Sequence, residues 1–146
     1  LPPRVLAMRV FLDANSLFSA ARTDGAVRAL LRLMLERGHG LVVDAVVIAE
    51  AQRHLQAKGP QALQVLDALL PRLVVGAAAT VAAVAPADIA WLPDKDRPVL
   101  AAVIRLSCDV LVTGDRTPFG SGDGRSFRGV TIHSPRSLAE RGLTDG

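Results

Sequence analysis

Apolar residues fall along the chain in two alternating kinds of run. Short unbroken runs read as strands: RVFLD (9–13), HGLVVD (39–44), RLVVG (72–76), DVLVTG (109–114) and GVTIHS (129–134). Between them lie longer runs with helical spacing. In DGAVRALLRLMLERG, Val27, Leu30, Leu31 and Met34 share a face, and Gly38 ends the helix. AVVIAEAQRHLQAKG is a second helix, stopped by Gly59, and PQALQVLDALL is a third, with Pro60 in its first turn. DRPVLAAVIRL carries Asp96 as N-cap and Pro98 in the first turn, and SPRSLAERG closes the chain from Ser134 or Pro135. No helix is assigned between Asp13 and Asp24, and Arg22 follows the loop after the first strand. Strands that are apolar throughout, alternating with helices, imply a mainly parallel five-stranded sheet covered on both faces, a three-layer α/β domain.

Composition agrees with one packed domain. The chain has 146 residues, half of them hydrophobic (50%), with a mean hydropathy of +0.32. That excludes a disordered chain. Aromatic residues are 3% and Tyr is absent, so the core must be built from Val, Leu and Ala. One cysteine, Cys108, excludes an intramolecular disulfide framework and a cysteine-rich zinc module. It precedes a strand and reads as a small buried hydrophobe, which points to an intracellular, cytoplasmic chain. A net charge of +3 permits a polyanionic partner without requiring one. The run from Leu73 to Ala85 is interrupted by Gly76 and Thr80 and followed by Pro86, short of the roughly 20 apolar residues that span a bilayer. The opening LPPRVLAM is too short for a signal peptide. Residues 1–7 read as an upstream extension and 8–146 as the domain.

In such sheets ligands bind at the carboxyl ends of the strands. Asp13 ends the first strand, Asp44 the second, and Asp115 follows the fourth. Asp96 caps the helix that leads into the fourth, which ordinary right-handed connections place at the same edge. Glu50 lies on a helical stripe with Val46 and Val47, which turns it toward the sheet. Taken singly, each acid has a plain structural reading: a cap for Asp13 or Asp96, a pair with Arg53 or His54 for Glu50, a turn for Asp115. Gathered together, Asp13, Glu50, Asp96 and Asp115 would repel one another unless some stayed protonated. A divalent cation relieves that repulsion, and an oxygen-only ligand set favours Mg²⁺ or Mn²⁺ over zinc.

The segments VFLDANSLFSA, VVIAEAQRHL and LPDKDRPVLAAVIRLSCDVLVTGDRTPFG resemble the PIN-domain nucleases, in the VapC-like branch of toxins from toxin–antitoxin pairs. The likeness runs from Met8 to about Leu143. It implies an α/β/α sandwich and a metal-dependent ribonuclease that hydrolyses RNA phosphodiester bonds. By motif, Asp13, Glu50, Asp96 and Asp115 take the family's acidic positions. Asp13 and Asp115 would hold metal, Asp96 would bind it or a water on it, and Glu50 would hold a second ion or place the attacking water. Asn15 and Thr113 match polar positions beside the first and last acids and would orient ligands or water. The resemblance also implies a small antitoxin partner and a homodimer. Pro118 departs from the pattern, because many members carry a further Asp there, and its absence removes a ligand from the second metal. Asp96 directly precedes RPVLAA and takes the site position, so Asp94 reads as a loop charge or as a helper just outside the ligands.

Arg22, Arg116, Arg125 and Arg128 are candidates for RNA-backbone contacts, which supply affinity more than sequence choice. Trp91 reads as core or interface rather than as a base-stacking platform. His39, His54 and His133 are scattered, and His54, one turn after Glu50 and within reach of the site, better suits a surface or helix-pair role. Two other readings compete. An inactive PIN-like module binding RNA or a protein is motivated by Pro118. A haloacid-dehalogenase-like phosphatase would need an Asp two residues after the first, where this chain has Asn15.

Overall fold

Val10, Phe11 and Leu12 are fully buried, and the strand that carries them, β1 (Arg9–Leu12), runs through the middle of the sheet. The molecule is described here by a computed structural model, over residues 7–76, 97–113, 126–127 and 129–142. The elements that follow are α1 (Ala14–Arg22), α2 (Ala26–Glu36), β2 (Gly40–Asp44), α3 (Ala45–Lys58) and α4 (Leu63–Leu69). Then come β3 (Val74–Gly76), α5 (Arg97–Arg105), β4 (Val110–Val112), β5 (Ser126–Phe127), β6 (Val130–His133) and α6 (Pro135–Ser137). The helix α6 runs on into a π-type turn, Leu138–Gly142.

Five strands are parallel, in the order β3-β2-β1-β4-β6, and helices flank them. This is the sheet that the apolar runs predict. The loop before β6 adds something the pattern does not show: the two-residue β5 pairs antiparallel with β6 at the sheet edge. The order places β2 and β3 on one side of β1, and β4 and β6 on the other. The topological switch point of the sheet is therefore between β1 and β4, where an open parallel sheet forms its ligand crevice.

The stretch after Asp13 is a helix, α1, and not a loop, which corrects the sequence reading. Leu17, Ala20 and Ala21 are its buried face, and it packs against α2, α3 and α4. Its apolar periodicity rests mainly on alanines, which mark a face much more weakly than leucines do. Elsewhere the expected core is found: leucines, valines and alanines fill it, and Phe11 is the aromatic among its largest fully buried side chains. Cys108 is buried among them.

Two helix ends share one geometry. After α2, Gly38 has φ +83°, its N–H donates to Leu35 O, and the His39 N–H donates to Met34 O. After α5, Ser107 has φ +56°, its N–H donates to Ile104 O, and the Cys108 N–H donates to Val103 O. Both are Schellman closures, which satisfy the last carbonyls of the helix. No described helix is long and apolar enough to cross a membrane.

Candidate functional site

Asp13 follows the last residue of β1 and is the N-cap of α1. Its Oδ1 accepts the Ser16 N–H at 2.7 Å. Its Oδ2 accepts a hydrogen bond from the hydroxyl of Thr113, which follows the last residue of β4. Leu12 pairs in register with Val112, so Asp13 and Thr113 are the first residues beyond the paired ladder on each side of the switch point. The Asp13 N–H donates to Val112 O at 3.1 Å, and the Ser16 hydroxyl reaches the same carbonyl at 3.4 Å. Asp13 is 8% exposed and Thr113 is 2% exposed, so the bridge between them is shielded from bulk water.

The plain reading of Asp13 as a cap is thus realised, and the residue does more than cap. An ionised carboxylate has about four lone-pair positions. The bonds from Ser16 and Thr113 engage one oxygen each, and they fix the plane of the group. Asp44 holds the matching place at the end of β2. Extending the β1–β2 register two residues past Phe11 and Val42 brings Asp13 opposite Asp44. Asp44 is buried and caps α3, accepting the Val47 N–H at 2.9 Å. Each carboxylate sits at a helix N-terminus, where the positive end of the dipole lowers the cost of burying negative charge.

Glu50 lies in the second turn of α3, half-buried. The stripe expected to turn it inward is only partly right. Val46 is 49% exposed, and the buried face of α3 is Val47, Ala51 and Leu55. Glu50 borders that face three residues after Val47. Asn15 is exposed in the first turn of α1. Arg22 is at the other end of α1, about 12 Å further along at the usual helical rise. There its guanidinium lies over the Phe18 ring at 5.6 Å, and His54 meets that ring edge-on with centroids 6.0 Å apart. His54 therefore joins α3 to α1, the helix-pair role its position suggests. Arg22 is a helix length away from Asp13.

Asp96, Asp115, Arg116, Arg125 and Arg128, with Asp94, Pro118 and Trp91, lie outside the described residues. Among the described residues no three His, Cys, Asp or Glu side chains form a metal-binding group. What the structure does bring together is Asp13 and Thr113 across the switch point, with Asp44 at the end of β2. Carboxylate oxygens are the donors that a hard divalent cation takes, where zinc prefers nitrogen and sulfur. Sequence reasoning missed the Ser16 amide as the second anchor of Asp13, although Ser three residues after a capping Asp is where such a donor falls. A groove of about 190 Å³ lined by Leu31, Leu35, Val65 and Leu69 of α2 and α4 has none of the acidic candidates on its walls.

No family model matches the chain, and no curated protein matches it by sequence. Solved structures match its fold. One is a chain of the VapBC2 complex of Rickettsia felis bound to a DNA fragment from its promoter. That match has TM-score 0.65 and 17% identity, over 87% of this chain and 98% of that one. Another is VapC20 of Mycobacterium tuberculosis, a toxin that cleaves the sarcin–ricin loop, with TM-score 0.56 and 14% identity over 84% of this chain and 98% of that one. The fold is VapC-like, as the resemblance of the motifs implied.

Proposed function

We propose that this protein is a metal-dependent endoribonuclease, the toxin of a toxin–antitoxin pair. The observation that carries the reading is the buried Asp13–Thr113 bridge at the switch point of a VapC-like sheet. In this reading Asp13, Glu50, Asp96 and Asp115 hold one or two Mg²⁺ or Mn²⁺ ions. A bound divalent cation supplies positive charge against the phosphate and makes an adjacent water more acidic. The protein's own contribution is orientation. Thr113 and the Ser16 amide hold Asp13 in one rotamer before any ligand arrives, so little reorganisation is left to the reaction. The same reading gives Glu50, on the second turn of α3, and Asn15, at the exposed start of α1, their roles at this edge.

The substrate class is RNA, since one structure of this fold belongs to a toxin that cleaves the sarcin–ricin loop. A small antitoxin is the partner, since another belongs to a VapBC2 complex, and the setting is the cytoplasm. Homodimerisation goes with the same reading. The net charge of +3 suits an RNA ligand.

The test is cleavage of structured and unstructured RNAs under a Mn²⁺ titration, with wild type and Asp13→Asn. Asn is itself a good N-cap, so this variant keeps α1 closed while removing the charge. We expect Mn²⁺-dependent cleavage by wild type and a loss of at least about a hundredfold in the variant, as large as the losses typical of perturbed metal sites. Absence of cleavage for every RNA, together with equal cellular toxicity of wild type and variant, overturns the proposal. RNA binding without cleavage would identify an inactive module instead.

A further inference from the structure

His133 and Ser137 are buried polar residues to which the nuclease reading assigns no task. They are 6% and 5% exposed, and His133 Nδ1 lies 2.7 Å from Ser137 Oγ. Burying a polar pair gives less stability than burying well-packed apolar side chains of similar volume. The location of the pair suggests what it does.

His133 is the last residue of β6 and pairs in register with Val112, the last residue of β4. One residue further on, the Thr113 N–H donates to the His133 carbonyl at 3.0 Å. That bond carries the β4 backbone past the end of its three-residue strand and toward Asp13. On the far side the His133 ring is tied to Ser137. Ser137 is held in turn by the cap of α6, its N–H donating to Ser134 Oγ at 3.0 Å. A continuous series of bonds therefore runs from α6 through His133 and Thr113 to Asp13 and the Ser16 amide of α1.

We propose that His133 and Ser137 are a positioning pair, which holds the end of β6 so that Thr113 presents its hydroxyl to Asp13 and fixes the metal-facing orientation of that carboxylate. The metal arm of this inference rests on the nuclease reading. Its backbone arm does not.

The experiment uses the full chain with Ser137→Ala and His133→Phe. Ile132→Val, a small core loss in the same strand, controls for stability. Mn²⁺ affinity is measured by calorimetry, and exchange of the Thr113 amide proton by NMR. Ser137→Ala and His133→Phe should each weaken Mn²⁺ binding about tenfold, the scale of losing a group that supports a metal ligand. Both should also speed exchange at Thr113, while Ile132→Val leaves both readouts at wild-type values. Wild-type affinity and unchanged exchange in the two pair variants overturn the inference. If wild type shows no Mn²⁺ binding that depends on Asp13, the nuclease reading falls. Thr113 exchange then decides the pair alone, faster exchange supporting it and unchanged exchange overturning it.

Discussion

Asp13 is buried, yet both of its oxygens accept hydrogen bonds, and that is what makes a carboxylate tolerable at the end of an apolar strand. Two other buried groups show what burial does without such bonds to the charged form. Cys108 is pushed up to about 11, chiefly by burial, with the Arg9 charge working against the rise and Asp109 adding to it. The thiol is therefore un-ionised at neutral pH and shielded. In the native protein at mildly alkaline pH, a thiol-specific reagent should label Cys108 far more slowly than it does after denaturation. Equal rates in the two states would refute this. His39 accepts the Met8 N–H at Nδ1, 3.0 Å away, and its pKa is lowered from 6.5 by burial first and by the Arg37 charge second. Above about pH 6.5 the ring is neutral both folded and unfolded, and the native bond is fully retained. As the pH falls below that value, the unfolded chain takes up a proton that the folded ring resists, so stability drops. Urea midpoints should fall across this window. His39→Gln, which can still accept the Met8 amide, should remove that share of the slope.

Among the elements, the ends of α2 and α5 make a controlled pair. The same closure has Gly38 at φ +83° in one and Ser107 at φ +56° in the other. A Cβ at Gly38 would meet nothing within 4 Å, so any penalty there is one of backbone conformation rather than of packing. Gly38→Ala should therefore cost about 1 kcal/mol, and Ser107→Gly should add roughly 0.5–1 kcal/mol, both read from chemical denaturation. Opposite signs at two like positions would tie the effect to φ. The helix α1 is the element that positions the candidate site. It begins at Asp13, and its buried Leu17, Ala20 and Ala21 hold it where the Ser16 amide meets the carboxylate.

For the whole molecule, the nuclease reading makes binding and stability one measurement. A ligand held only by the folded state stabilises it, by about 2.7 kcal/mol at a hundred times its dissociation constant. Saturating Mn²⁺ should raise the melting temperature of wild type and leave Asp13→Asn nearly unmoved. Equal shifts in both would place the metal elsewhere. Much of this molecule is legible in one dimension. Apolar strand runs call for burial on both faces, so a parallel sheet between helices follows from the pattern, although Val74 and Val75 of β3 stay exposed; Gly38, and Ser134 or Pro135, follow as helix boundaries. The nine-residue α1 begins directly at the acid that follows β1, with no turn residue to separate helix from strand, so it is not visible there. Nor is the exposure of Val46: Val46 and Val47 lie four and three residues before Glu50, spacing alone does not choose between them, and in the fold Val47 is the buried one. The sequence by itself determined that Asp13 and Thr113 each follow an apolar strand. Their meeting depends on the strand order: β4 inserts beside β1 rather than beyond β3, and that choice is made by non-local packing, which brings together residues 100 positions apart.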